Sequence, residues 1–317
     1  MIKVAIIVVW IGKIPNYFPL WTRSLIKNKN YDFFLITDQI IDLEIKPENL
    51  KVITATLLDL KKDISSKLRI PVFLELPYKL CDFKPAYGEI FHQQLANYDF
   101  WGTCDMDMMF GDLDKFLNHE IYQQYSKLFS RGHLTLYKNS KEINKLYRSS
   151  KLFDYKHIFN SPACFMFDEW YGIHKIFEEF GIAQYANECM ADINANTAGF
   201  TCTNIKNFEK QIFVWENGDL KQYYLNKGII NSRELAYIHF QKRKININSI
   251  NINSAHSIIL NAAGVFGFEE EITSEVIEKY NVKNYRHFFE RQYKRLKSKV
   301  PVLKNDSIIF DKSLKKK

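Results

Sequence analysis

The chain has 317 residues, 46% of them hydrophobic and 15% aromatic, which is enough for one large core or two modest ones. Its five cysteines are scattered and form no CxxC pair, so neither a disulfide framework nor a zinc ribbon is indicated, and a reducing cytoplasm fits. No apolar run reaches the length of a membrane span, and the apolar N-terminus lacks the small-residue cleavage site of a signal peptide.

The net charge of +8 is concentrated at the C-terminus. Residues 283–317 contain 12 Lys or Arg and 3 Asp or Glu, a net charge of +9, which leaves −1 for the rest of the chain. A near-neutral body argues against a nucleic-acid groove, and we expect no nucleic-acid partner. The tail combines an aromatic stripe with basic residues, which favours an interfacial helix on the anionic inner face of the cytoplasmic membrane. A solvated helix with a disordered Lys-rich end is the alternative.

Strands and helices are predicted to alternate in the first part of the chain. The predicted elements are strands over Lys3–Trp10, Asp32–Asp38 and Val52–Ala55, and helices beginning near Phe18 and Leu57. This order predicts an α/β fold with a doubly wound, mostly parallel sheet. Ligands of such sheets bind at the carboxyl ends of the strands, where Trp10, Gly12 and Asp38 are expected.

The stretch Tyr98–Phe116 begins as a buried, aromatic-rich strand and then places two carboxylates, Asp105 and Asp107, at the end of that strand. Residues two apart share a face of an extended chain, so both carboxylates can address one point. Such a pair suits Mg²⁺ or Mn²⁺ together with substrate phosphates. A solvated turn after the strand is the alternative. Asp112 is interpreted as the N-cap of a short helix, so the second Asp-x-Asp, at 112–114, is not a candidate. Thr273 is interpreted as the cap of another short helix.

Upstream of this strand, Pro85 fits the first position of a helix, with Lys84 held extended before it. Asp82 and Lys84 are expected just outside the N-terminus of that helix. They are interpreted either as a capping acid with a solvated lysine or as site residues.

Two further acids follow a predicted buried strand over Pro162–Phe167. Asp168 and Glu169 come directly after that strand and are predicted to open a helix. They are either a general base or an N-cap with a first-turn acid, which the helix dipole favours in any case.

A late strand over Leu235–Phe240 contains His239, and Lys242 and Arg243 come just after it. An imidazole added to two carboxylates makes a plausible Mn²⁺ ligand set. Nearby Lys and Arg side chains can neutralise a departing diphosphate. The alternative is a satisfied strand histidine with solvated basic neighbours.

Several of these stretches together carry a resemblance to a known family. They are Asp82–Gly88, Asp99–Gly102 with Asp105–Asp107, Gly132–Tyr137, Phe167–Trp170 with Gly172, and Tyr237–Arg243. In these stretches the chain resembles a family of bacterial glycosyltransferases of capsule and lipopolysaccharide synthesis. The resemblance covers most of the chain up to Arg243. Because the composition then shifts to Ile, Asn and Ser, we predict a catalytic domain over 1–245 and a basic, helical extension over 246–317.

The resemblance implies a GT-A fold and a metal-dependent site for a sugar nucleotide, for which UDP is expected. By the resemblance, Asp105 faces the ribose, and Asp107 holds Mn²⁺ or Mg²⁺ on the diphosphate with His239 as a further ligand. The donor site would then contain Trp10, Gly12, Asp38, Asp82, Lys84, Asp105, Lys242 and Arg243.

The catalytic base of an inverting enzyme would be Asp168, with Glu169 as the second candidate, while a retaining mechanism stays open. His133, Tyr137 and Trp170 are candidates for lining the pocket of a saccharide or lipid-linked saccharide acceptor.

Two other functions compete with this one. A sugar nucleotidyltransferase would also use paired acids and a parallel sheet, but the loop after the first strand has only Gly12 where a Gly-rich phosphate loop is usual. A non-enzymatic protein could use the basic tail to bind nucleic acid or another anionic surface, with salt-sensitive affinity.

Overall fold

The structure, a computed structural model, describes residues 2–241, 243, 245–247, 255–297, 310–311 and 313–316. Its strands are β1 (Val4–Trp10), β2 (Tyr31–Thr37), β3 (Leu50–Thr54), β4 (Phe100–Cys104), β5 (Met108–Phe110), β6 (Lys127–Leu128), β7 (Leu134–Lys138), β8 (Gln184–Tyr185), β9 (Ala191–Asp192), β10 (Gln211–Glu216), β11 (Asp219–Asn226), β12 (Ile229–Glu234), β13 (Tyr237–His239), β14 (Ser257–Asn261) and β15 (Gly264–Phe268).

The helices vary from single turns to thirteen residues. They are α1 (Phe18–Leu25), α2 (Leu57–Leu68), α3 (Leu80–Phe83), α4 (Tyr87–Ile90), α5 (His92–Leu95), α6 (His119–Gln124), α7 (Lys141–Asn144), α8 (Tyr155–Asn160), α9 (Ile173–Glu179), α10 (Ser274–Tyr280) and α11 (Tyr285–Lys297). Within the described residues, no helix has both the length and the apolar character needed to cross a bilayer.

The largest sheet has seven strands in the order β3-β2-β1-β4-β7-β6-β8. The first four run parallel, β7 is antiparallel to both β4 and β6, and β6 is parallel to β8. This mostly parallel sheet, flanked by helices, confirms the predicted α/β fold. Since β1 lies between β2 and β4, the paired acids after β4 lie beside the loop that follows β1.

Both faces of the large sheet are covered, which explains why β1 is apolar at almost every position. Ala5 and Ile7 face the core that contains Trp101. Val4 and Ile6, on the opposite face, join the core that contains Trp21 from α1. The sheet is therefore the middle layer of the fold, and its strand ends are the accessible edge.

A small sheet of three strands, in the order β5-β13-β9, brings late residues back to the paired acids. Strand β13 is antiparallel to β5, with His239 opposite Met108, and parallel to β9, with His239 opposite Asp192. The sheet therefore places His239 next to the segment that follows β4.

A separate antiparallel sheet has the order β12-β11-β10-β14-β15. Strand β10 pairs with β14, so strands on either side of residue 245 belong to one sheet. The division into domains at residue 245 stays a prediction.

Three local predictions about helix starts and strands are wrong. Residues 162–167 form no extended strand: Cys164 makes only an isolated bridge to Phe310. Lys84 is helical rather than extended, with φ −49° and ψ −42°, inside a 3₁₀ turn over Lys84–Ala86. Helix α9 begins only at Ile173, after Gly172 at the N-cap, so Asp168 caps no helix.

Two predicted helix caps are confirmed. The Asp112 side chain accepts the backbone N–H of Asp114 at the start of a 3₁₀ turn, and the Thr273 side chain accepts that of Val276 at the start of α10. Local hydrogen bonding determined both, so the sequence around each residue was enough to predict it.

A buried ion pair replaces the strand that was expected before Asp168. Lys79 and Asp82 are 3% and 0% exposed, and Lys79 Nζ lies 2.7 Å from Asp82 Oδ2. The Asp82 carboxylate also accepts the backbone N–H groups of Phe165 and Phe167 at 3.0–3.1 Å. Lys79 Nζ donates to the carbonyl of Ala163 as well. We call this arrangement the Lys79–Asp82 clamp, and it fixes the segment that leads to Asp168.

Replacing Asp82 by Ala is expected to lower the free energy of unfolding by roughly 3–5 kcal/mol, because Lys79 would stay buried without its partner. The matched control is Asp63→Ala, which breaks the Lys67–Asp63 pair, also 2.7 Å long but with a carboxylate side chain that is 47% exposed. The control should cost about 0.5 kcal/mol or less. Urea denaturation measures both variants, and equal losses would contradict the role of the clamp.

Candidate active site

A cavity of about 570 Å³ opens at the carboxyl ends of β1 and β4. Its walls come from the loop after β1, the segment after β4, the turn around Lys84, the loop over 166–170, and the ends of β9 and β13. This is the edge at which parallel α/β sheets bind ligands, as the sequence predicted.

Asp105, Asp107 and His239 lie together in this cavity and are called the acid–histidine cluster below. Met106, between the two acids, is 1% exposed and belongs to a hydrophobic core, while Asp105 and Asp107 line the cavity. His239 Nε2 lies 3.3 Å from Asp107 Oδ1 and 3.9 Å from Asp105 Oδ2. One ligand atom from each side chain lies within 4.8 Å of the others, so the cluster could hold a metal ion.

His239 is surrounded by acids. Its Nδ1 lies 2.9 Å from Asp192 Oδ1, on the side opposite the paired acids. Burial lowers the pKa of His239, but the carboxylates of Asp107, Asp192 and Asp105 together raise it to about 10. The three carboxylates therefore favour the charged form of the imidazole.

The ring of His239 stacks on His133, with centroids 4.4 Å apart. His133 is anchored in turn by Tyr237, whose hydroxyl lies 3.0 Å from His133 Nδ1. Burial and the neighbouring His239 lower the pKa of His133 to about 3, so this imidazole is neutral near pH 7.

Lys84 joins the paired acids to the predicted base. Its Nζ lies 2.7 Å from Asp105 Oδ1 and 2.8 Å from Asp168 Oδ2, and it donates to the carbonyl of Gly132 at 3.0 Å. Burial raises the pKa of Asp105, but Lys84 and His239 outweigh burial, and the net pKa is below the ordinary value.

The pKa of Asp168 is shifted in the opposite direction to that of Asp105. Burial raises its pKa to about 7 despite the attraction of Lys84, and the charge of Glu169 adds to the rise. Burial also raises the pKa of Glu169. Asp105 and Asp168, which share Lys84, therefore have pKa values that are shifted in opposite directions. Such a separation distinguishes acids from bases in many active sites.

The other predicted site residues divide into those that line the cavity and those that do not. Trp10, His133, Glu169 and Trp170 line the cavity, and Trp170 is half exposed at the rim. The residues that do not line it are Gly12, Asp38, Asp82, Tyr137 and Arg243. Lys242 lies outside the described residues.

Each residue off the cavity wall has other partners. The Gly12 N–H donates to Asp38 Oδ1 at 2.8 Å, which closes the loop after β1. Tyr137 stacks on Trp101 in the core. Arg243 donates to the backbone carbonyls of the loop over 194–199.

Sequence reasoning missed two charged residues of the cavity wall, Arg131 and Asp192. Arg131 lies 3.3 Å from Asp192 and 3.2 Å from Glu188. Arg131 directly precedes Gly132–Tyr137, one of the stretches that carry the family resemblance, so the sequence around it gave a usable signal. Asp192 ends a two-residue strand, and nothing in the surrounding sequence marks it.

Residues 6–269 match the model of a protein family described as a family of unknown function, DUF6625, and the chain belongs to this family. No curated protein matches the chain significantly.

Solved structures with partial similarity are glycosyltransferases. The galactosyltransferase LgtC, in complex with donor and acceptor sugar analogues, is 13% identical over 60% of this chain and 75% of its own, with a TM-score of 0.35. A glycosyltransferase involved in glycosylation of the major capsid of PBCV-1 is 7% identical over 60% and 85%, with a TM-score of 0.32. The glycosyltransferase GlyE of Streptococcus pneumoniae TIGR4 is 11% identical over 59% and 46%, with a TM-score of 0.29.

Proposed function

We propose that this member of the DUF6625 family is a metal-dependent glycosyltransferase that moves a sugar from a nucleoside-diphosphate sugar to a saccharide acceptor. The observation that carries the proposal is the acid–histidine cluster at the end of β4, inside a cavity of about 570 Å³. The expected donor nucleotide is UDP, and this choice follows from the sequence resemblance alone.

The residues of the cluster fit a divalent cation. Two carboxylates and an imidazole are the ligand types of Mn²⁺ and, with fewer nitrogen ligands, of Mg²⁺. The carboxylates of Asp105, Asp107 and Asp192 lie around His239, so a cation at this position would have anionic neighbours. When bound, the ion would supply Lewis-acid stabilisation of the leaving diphosphate.

The residues that would act on the acceptor are Lys84 and Asp168. With Oδ2 of Asp168 held by Lys84 at 2.8 Å, the carboxylate has a fixed orientation in the cavity wall. In an inverting reaction Asp168 would take the proton of the acceptor hydroxyl, and its pKa of about 7 suits a base that works near neutral pH. Glu169 is the second candidate, and a retaining reaction would need neither residue as a base.

Aromatic residues at the cavity suit a sugar acceptor. Trp10 lies at the end of β1, and Trp170 lines the cavity as a residue that is 51% exposed. Apolar faces of sugars stack on such rings, while their hydroxyl groups need polar partners. A saccharide or lipid-linked saccharide of surface polysaccharide synthesis, either capsule or lipopolysaccharide, is the proposed acceptor.

A place on the cytoplasmic face of the membrane agrees with this acceptor and with helix α11. Tyr285, Phe289, Tyr293 and Leu296 are each more than half exposed and recur at helical spacing, so they form one apolar face. The same helix carries five basic residues and one acid. An apolar face bordered by basic side chains suits the boundary between anionic headgroups and acyl chains.

The nucleotidyltransferase alternative has less support. A phosphate loop needs free backbone N–H groups after β1, but the Gly12 N–H is bonded to Asp38.

Replacing Asp107 by Ala should abolish turnover of a UDP-sugar and the thermal stabilisation by UDP with Mn²⁺, because a metal ligand is lost. The matched control is Asp114→Ala, in the second Asp-x-Asp, whose side chain contacts Asn30 outside the cavity. UDP release and melting temperature measure the two effects. Full turnover in EDTA or in Asp107→Ala would contradict the metal role.

Replacing Asp168 by Asn should lower kcat by roughly 100-fold or more, with UDP binding retained, because a general base is removed. At saturating Mn²⁺, turnover of the unchanged protein should rise with pH through about 7, since Asp168 must be ionised to accept a proton. The variant should lose that rise. Glu169→Gln tests the second candidate, and normal turnover in Asp168→Asn would exclude Asp168 as the base.

Replacing both Phe289 and Tyr293 by Ser should prevent sedimentation with phosphatidylglycerol vesicles, because the apolar face of α11 is disrupted. The control is Ile40→Ser, which removes an isolated apolar side chain that is 96% exposed. Added salt should weaken binding of the unchanged protein. Sedimentation of the double variant at the level of the control would contradict a role for α11.

A further inference from the structure

Asp192, at the end of β9, contacts the acid–histidine cluster from the side opposite Asp105 and Asp107. We propose that Asp192 is a positioning residue that fixes His239 with Nε2 toward the metal ion. The inference rests on the proposed function, because it concerns the metal site proposed there. Asp192 is the register partner of His239 across the β9–β13 pair, so the backbone holds the two side chains side by side.

The hydrogen bonds of Asp192 keep a hydrogen on Nδ1 of His239. Asp192 is 4% exposed, and four donors surround its two oxygens. The donors are His239 Nδ1 at 2.9 Å, Gln241 Nε2 at 2.8 Å, Thr203 Oγ1 at 2.6 Å and an Arg131 nitrogen at 3.3 Å. A carboxylate with four donors acts only as an acceptor, so Nδ1 of His239 must donate.

With Nδ1 committed to Asp192, only Nε2 of His239 can act as a metal ligand. This nitrogen faces Asp107 at 3.3 Å and Asp105 at 3.9 Å. In metal sites, such a carboxylate behind the histidine selects the tautomer and the ring orientation.

Both Asp192 and the imidazole are held rigidly. The backbone N–H of Asp192 donates to Asn204 Oδ1 at 3.0 Å. The face of the His239 ring is covered by His133, with 29° between the ring planes. A ring flip of His239 would therefore break the Asp192 bond inside a packed site.

Asp192 could alternatively be a metal ligand itself, since His133, Asp192 and His239 also lie close enough to share an ion. Its four donors argue against this, because a cation would have to displace them. The two roles predict different positions for the hydrogen of His239. A positioning carboxylate requires the hydrogen on Nδ1. A ligand carboxylate that shares an ion with His239 Nδ1 requires that nitrogen to carry no hydrogen.

The first test measures Mn²⁺ affinity without nucleotide or sugar, by the electron paramagnetic resonance signal of free Mn²⁺. Asp192→Asn should weaken binding by roughly 10- to 100-fold, as losses of outer carboxylates do. Asp107→Ala should abolish binding. The matched control, Asp99→Asn, changes a carboxylate that accepts the Lys3 N–H next to β4 and outside the cavity, and it should bind as the unchanged protein does.

The second test needs no Asp192 variant and so stands even if Asp192→Asn fails to fold. Nitrogen-15 NMR of the Mg²⁺-loaded protein, with His239 assigned by the loss of its signals in His239→Gln, should show the hydrogen on Nδ1. A hydrogen on Nε2, or a bare Nδ1, would overturn the positioning role.

The outcomes separate this inference from the proposed function. An unchanged protein that binds neither Mn²⁺ nor Mg²⁺ would overturn both. A second outcome would overturn only the role of Asp192. In that outcome the unchanged protein binds Mn²⁺ normally, and the Mn²⁺ affinity of Asp192→Asn lies within about threefold of that of the unchanged protein.

Discussion

Charge compensation between acids and cations in one cavity is the constraint on which this site depends. Asp105, Asp107, Asp168, Glu169 and Asp192 all line the cavity. Two cations there each serve two of them: Lys84 bridges Asp105 and Asp168, and His239 lies between Asp107 and Asp192. Because buried charges are stable when they are paired, removing Lys84 or His239 takes an ion-pair partner from two acids at once. An added divalent ion would relieve the same excess of negative charge.

Strand pairing, a helical turn and a buried ion pair together place the groups that share these charges. Asp105 and Asp107 follow a central strand, while His239 and Asp192 come from neighbouring strands of the small sheet. Lys84 lies on a helical turn, and the Lys79–Asp82 clamp holds the segment that leads to Asp168. The strand ends, the helical turn and the Lys79–Asp82 clamp therefore support the charged groups of the cavity wall, which reduces the reorganisation needed when charge develops in a reaction.

The parts that the sequence predicted are those specified by local pattern. Apolar strands β1, β2 and β4, the acids after β4 and the cap at Asp112 are each encoded within a few residues. The segment over 162–167 is as apolar as a strand, yet its backbone donors go to Asp82, more than 80 residues away. The conformation of this segment depends on a long-range partner, so no local sequence pattern could reveal it.

The candidate site likewise contains some residues that the local sequence predicted and others that it could not predict. The pair Asp105 and Asp107 was predicted from residues two apart, whereas Asp192 becomes significant only when β9 pairs with β13. Asp82 and Arg243 have the residue types of a donor site, but the structure places them off the cavity wall, where Asp82 bonds to Lys79 and two backbone N–H groups and Arg243 to backbone carbonyls. Residue type alone could not separate these roles from ligand binding.

The pairing of β10 with β14 has a practical consequence for anyone shortening the chain. A protein ended at residue 245 would lose β14 and β15, and β10 would become the outermost strand of its sheet. Its row of bare amide and carbonyl groups, flanked by Phe213 and Trp215, would be a template for intermolecular strand addition. Insolubility of such a fragment would then reflect an exposed sheet edge and would say nothing about its catalytic competence.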